Sequence, residues 1–213
     1  MVLHHVLDHV FSTWSHIAVL RVLKDILHPL TGREVARRAG MNHRPCLRAL
    51  SALEELRIVI RQRGGRDHLF TLNREHRLVR DGILPLLEVE SGFARAVGGA
   101  LAKKLGRHVV SLVLFGSVAR RQETPRSDLD LCLIVSARVD KGKSLEEVHA
   151  LAPTLLRSFG VRVSPLAFSV GEFRRAARRR RPPVSEILTE GRVVTGLSLN
   201  EVIDGKGWRS KGS

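Results

Sequence analysis

The chain has 213 residues, 43% apolar but only 4% aromatic and without tyrosine, so it can fill a core but not stack bases on aromatic platforms. Lys and Arg number 36 against 21 Asp and Glu, and the resulting formal charge of +15 calls for a polyanionic partner. The spacing of Cys46 and Cys132 excludes a disulfide framework or a zinc-cysteine site; no apolar run is long enough to span a membrane, which points to the cytoplasm.

The first eleven residues carry His4, His5 and His9, but no Glu follows His5 as a zinc-protease helix requires, so a frayed terminal element is expected there. From Ser12 or Thr13 a helical stripe runs through Ile17, Leu20, Leu23 and Leu27 and must stop before Pro29. Thr31 and Glu34 have capping-box spacing for a short helix through Ala39 that Gly40 closes. Asn42 is placed to cap a third helix striped by Leu47, Leu50, Leu53 and Leu56. Two strand-like runs, 57–63 and 66–72, flank Gly64-Gly65 and predict a hairpin.

Three helices followed by a hairpin, over about Trp14 to Asn73, resemble a winged helix-turn-helix domain. The resemblance implies that the third helix enters a major groove of duplex DNA with His43, Arg44, Arg48 and Ser51, and that the wing brings Arg61, Arg63 and Arg66 to phosphates. Twelve arginines against five acids between Arg33 and Arg80 fit such contacts. Winged helices also serve as protein-interaction modules.

Residues 74–105 predict a long helix or helix pair, interrupted at Pro85 and at Gly98-Gly99. We read it as a connector and as a surface for a two-fold homodimer.

The most informative stretch is 109–135. An apolar strand, 110–115, ends at Gly116-Ser117, where Ser117 is expected to cap a short helix whose free N–H groups suit a phosphate. Asp128 and Asp130, two apart on a following strand, leave from one face. Paired carboxylates need a cation between them, and hard oxygen ligands beside a phosphate seat suit Mg²⁺. Such a site lets a hydroxyl displace pyrophosphate from a nucleoside triphosphate in line.

The run Phe115-Gly116-Ser117-Val118-Ala119-Arg120, then Glu123, then Ser127-Asp128-Leu129-Asp130, resembles the signature of the polymerase-β-like nucleotidyltransferases, especially the minimal ones of bacteria and archaea. The resemblance covers about Gly106 to Val194. It implies that Gly116 and Ser117 hold the triphosphate and that Asp128 and Asp130 hold the divalent metals. Arg121 stands where a glycine is usual in the family. The family commonly adds a third carboxylate from a later strand; here that strand, 160–168, offers Arg162 or Ser164 instead. Glu172, Glu186 and Glu190 are the acids that could reach the site from other elements.

Ser144 is expected to cap a helix carrying Leu145, Val148, Leu151, Leu155 and Leu156, which crosses over to the strand 161–168. A helix from Glu172 ends in four arginines, 178–181, read as a solvated helix end or a nucleic-acid contact, and a last short helix and an edge strand follow. The tail from Gly205 is expected to lack order.

The fold class expected is therefore α+β: a winged helix at 1–73, a helical connector at 74–105, a nucleotidyltransferase domain with a mixed sheet flanked by helices at 106–204, and a tail at 205–213. The function expected is DNA binding joined to transfer of a nucleoside monophosphate, AMP by preference, from a triphosphate such as ATP to a hydroxyl of a protein, tRNA or small molecule. Arg120 would neutralise developing charge there. The alternative is a transcriptional regulator whose degenerate domain senses a nucleotide, which the missing third acid favours.

Overall fold

The computed structural model describes residues 2–65, 67–106 and 109–205. It divides into two compact units, Met1–Gly92 and Phe93–Ser213.

In the first unit, α1 (Val6–Val10) precedes α2 (Trp14–Lys24), which Thr13 caps through the His16 N–H. Helix α2 buries Val19, Leu20 and Leu23 but stops at Lys24, so Leu27 leaves the predicted stripe and is 80% exposed. Strand β1 (Leu30–Thr31) leads into α3 (Gly32–Arg38), where Thr31 and Glu34 form the expected reciprocal capping box. Asn42 occupies the N-cap position of α4 (His43–Glu55) without a side-chain bond, and Cys46, Leu50 and Leu53 turn inward.

Strands β2 (Val59–Gly64) and β3 (Asp67–Leu72) pair antiparallel, and β1 adds to β3, giving the order β1-β3-β2. Gly64 faces Asp67, so the turn is centred one residue later than expected, with Gly65 at φ +62° where glycine is needed.

No break interrupts the predicted connector. A π-helical turn, Val79–Ile83, runs directly into α5 (Leu84–Leu105), and Pro85 follows immediately after that turn, where the regular i→i−4 ladder is already interrupted. Gly98 lets the helix approach a strand: a Cβ there would lie 3.1 Å from Val194 Cγ1. The boundary between units falls at 92/93, not at 73/74 or 105/106. Val79, Ile83 and Leu87 join the first unit's core, while Val97, Leu101 and Leu105 join one core of the second.

The second unit is built on a mixed four-stranded sheet, order β6-β5-β4-β7: β4 (Ser111–Phe115), β5 (Leu129–Val135), β6 (Val163–Ser169) and β7 (Arg192–Gly196). Strand β4 is antiparallel to both neighbours, and β5 is parallel to β6. Leu112, Leu129, Leu131 and Leu133 pack with α5 and α7 (Lys141–Phe159) on one face. Val113, Phe115, Cys132 and Ile134 pack on the other with α8 (Val170–Arg178), α9 (Val184–Glu190) and α10 (Leu199–Asp204). Burial on both faces explains why β5 reads as an almost continuous apolar run. Both cysteine thiols lie inside, and burial pushes Cys46 up to about 11 and Cys132 up to about 12.

Two details differ from expectation. Asp140, not Ser144, caps α7 by accepting from the Gly142 N–H; Ser144 lies in the helix and donates to the Asp140 carbonyl. Helix α10, with a capping box made by Ser198 and Glu201, has too short an apolar pattern to stand out in the sequence. Beyond Gly205 the tail lies outside the described residues.

Glu172 completes a capping box with Ser169 and accepts from Lys141 Nζ at 2.7 Å, and these bonds, Lys141 first, pull its carboxyl down to about 2. A depressed carboxyl contributes stability at pH values above its unfolded pKa, about 4.3, and that stability is lost as pH falls towards the folded value. Glu172→Gln is therefore expected to lower the melting temperature at pH 7, and the gap to wild type should close between about pH 4.5 and 2. Calorimetry across that range measures it.

Candidate active site

Phe115, the last residue of β4, pairs with Asp130 of β5, and this pairing brings the two halves of the predicted motif together. Beyond Phe115 the backbone turns into α6 (Gly116–Arg120). Gly116 has φ +70°, and a Cβ built on it would overlap the Asp130 carboxylate, so both its conformation and its neighbour demand glycine. The expected Ser117 cap is not formed. Phe115 holds the N-cap position without a side-chain bond, and Ser117 sits in the first turn, its carbonyl accepting from the Gln122 N–H at 2.9 Å. Arg121 ends the helix at φ +59°, a region glycine enters freely and arginine at a cost of about 1 kcal/mol.

Burial, and then the nearby Asp128 charge, raise the Asp130 carboxyl; Arg120 acts in the opposite sense. Asp128 is more exposed. Its Oδ1 accepts from Arg162 Nε at 2.8 Å, and Arg162 Nη2 also donates to the Arg126 carbonyl at 2.6 Å. The Arg162 carbonyl in turn accepts from the Leu129 N–H at 2.7 Å, so one residue ties both main chain and side chain at this corner. Ser164 stands beside Asp130 in the parallel register, and β6 brings no carboxylate to either aspartate.

A third carboxylate comes from elsewhere. Glu190, the last residue of α9, accepts from the Gly116 N–H at 3.0 Å and from Arg120 Nη1 at 2.7 Å through both oxygens. The Arg120 guanidinium holds the Glu190 carboxyl below its ordinary range. Of the three glutamates named from sequence, Glu190 is bonded within the site and Glu172 is committed to Ser169 and Lys141. Spacing gave no signal for Glu190, because its approach depends on α9 being anchored by Val184 and Ile187.

Two carboxylates, Asp128 and Asp130, are an adequate protein contribution for a Mg²⁺ that takes further oxygens from phosphate and water. Among the described residues no group of three His, Cys, Asp or Glu side chains is arranged for a metal, and His5 and His9 form no such group. In the first unit His43, Arg44, Arg48 and Ser51 are exposed along α4, and Arg61 pairs with Glu54 at 3.0 Å while Arg63 is exposed. Arg66 lies outside the described residues.

The family model described as a nucleotidyltransferase domain matches residues 99–194, a span that holds Gly116, Asp128, Asp130 and Glu190. No curated protein matches the chain significantly. Among solved structures, a toxin-antitoxin crystal structure with AMP-PNP is 16% identical, covering 51% of this chain and 82% of that one at a TM-score of 0.35. A mutant of the toxin-antitoxin MntA-HpeT is 14% identical, covering 51% and 81% at 0.34. Likeness at this level decides nothing about the present chain. Among the described residues no helix is long and apolar enough to cross a membrane.

Gly116→Ala forces a side chain into the left-handed region and against Asp130. It is expected to cost at least about 1 kcal/mol of stability, read as a lowered melting temperature.

Proposed function

We propose that the second unit transfers a nucleoside monophosphate, AMP from ATP, to an acceptor hydroxyl, and that the first unit is a winged helix that binds duplex DNA in the cytoplasm. The observation that carries the enzymatic reading is the pairing of Phe115 with Asp130, which sets the Gly116 turn against the paired carboxylates within the nucleotidyltransferase match. Gly116 and Ser117 would face the phosphates with backbone N–H groups, and Arg120 would neutralise charge developing on the leaving pyrophosphate. Asp128 and Asp130 would hold Mg²⁺, which supplies charge neutralisation at the phosphates. The acceptor oxygen bonds to the α-phosphorus, the bond to the bridging oxygen breaks and pyrophosphate leaves, while the hydroxyl proton passes to solvent water.

A second reading is favoured by the ion pair of Arg162 with Asp128 and by Ser164 beside Asp130, which leave β6 without an acid to assist the attacking hydroxyl. On that reading the domain binds a nucleotide and regulates transcription without turnover. Incubation with labelled ATP, Mg²⁺ and cell lysate separates the two: label on a protein, tRNA or small molecule is expected for the enzyme, and binding without label for the sensor. In either case Asp128→Asn is expected to remove Mg²⁺-dependent ATP binding in calorimetric titration, since the amide keeps the shape but loses the charge.

For the first unit, the support is the exposure of His43, Arg44, Arg48 and Ser51 on one helix beside a basic hairpin. A homodimer would set two such helices on successive half-sites. Arg44→Ala and Arg48→Ala in the full chain should each weaken duplex binding and lower the slope of log affinity against log salt by about 0.9 for each phosphate the protein no longer neutralises. Lack of affinity for any duplex at low salt would leave this unit as a protein-interaction module.

A further inference from the structure

We infer that Glu190 is a specificity-determining residue that occupies the anion seat of the site, so that a ligand enters only by displacing its carboxylate with a more highly charged phosphate chain. The inference rests on the nucleotide-binding reading of the same site. Glu190 takes up two of the donors proposed for the phosphates: the Gly116 N–H at 3.0 Å and Arg120 Nη1 at 2.7 Å. Its side chain is 17% exposed, whereas that of Arg120 is 43% exposed, so the guanidinium is open to an incoming anion while the carboxylate already sits behind it.

A carboxylate and a phosphate present the same kind of oxygen to these donors, and both bonds to Arg120 are charge-assisted. The Gly116 N–H cannot serve both anions, and a phosphate that binds Arg120 through Nη1 must take it from Glu190. A small mono- or dianion such as phosphate, sulfate or a monophosphate merely exchanges one ionic contact for another and, bringing no cation, leaves Glu190 unpaired near Asp130, which like-charge repulsion disfavours. A triphosphate brings several oxygens, and with Mg²⁺ it also brings the positive charge that makes a released carboxylate tolerable beside Asp130. Glu190 therefore discriminates against phosphate, sulfate and monophosphates and in favour of metal-bearing polyphosphates.

Helix α9 is held by Val184 and Ile187 in the apolar core, so Glu190 can leave its partners without loosening the helix.

The test is calorimetric titration of the full chain, as wild type, Glu190→Gln and Glu190→Ala, with ATP and Mg²⁺ and, separately, with inorganic tripolyphosphate. Both variants are expected to bind each probe about tenfold more tightly than wild type, the size of one charge-assisted bond no longer competing. Binding by the variants alone is the same result in stronger form. Unchanged or weaker binding by the variants, with wild type still binding ATP, overturns the role of Glu190 and leaves the nucleotide reading standing. Failure of all three proteins to bind either probe overturns both. Melting temperatures taken alongside exclude a purely structural role, which would lower them without tightening any ligand.

Discussion

The pairing of Phe115 with Asp130 is the contact on which the rest of the candidate site depends. Antiparallel pairing puts the end of β4 beside the start of β5, so the loop leaving one strand and the carboxylates entering the other meet at one end of the sheet's two central strands. Gly116 is the price of that closeness: its left-handed backbone and the carboxylate against it leave no room for a side chain. Because β5 is buried on both faces, by α5 and α7 on one side and by α8, α9 and α10 on the other, the pairing is held by packing well beyond the site.

Two of the three carboxylates at the site are paired within the protein. Asp128 is paired with Arg162 and Glu190 with Arg120, while the carboxyl of Asp130 is raised by burial and then by the Asp128 charge. Under the proposed reading, a ligand bearing phosphate and metal would exchange these pairs. Arg162 stands where the family resemblance places an acid, and its ion pair with Asp128 would make it part of that exchange.

Local signals in the sequence located most elements. The capping box of Thr31 and Glu34 and the apolar runs of β4 and β5 depend on backbone preferences within a few residues and stand where the sequence puts them, and the hairpin forms with its register shifted by one residue. Single-residue details were less legible. Ser117 and Ser144 are good capping residues that lost the role to Phe115 and Asp140, because the cap is decided by where the preceding chain arrives. Pro85 and the glycines at 98 and 99 look like breaks, yet α5 passes through them, with Pro85 just after a π turn and Gly98 packed close to Val194.

By itself the sequence determined the turn at Gly116, the strand that carries Asp130, and the lack of an acid on β6, since each is fixed by residue type and by spacing along one strand or turn; Asp128, expected on the same strand, falls just before β5. Tertiary structure alone decided the partners. Glu190 reaches Gly116 across 74 residues and Arg162 reaches Asp128 across 34. No pattern near either residue encodes those distances, because they follow from how α9 and β6 pack on the sheet. The division of the helix 84–105 between two cores is of the same kind: its apolar residues are evident in the sequence, but which core buries each of them depends on surfaces supplied from elsewhere in the chain.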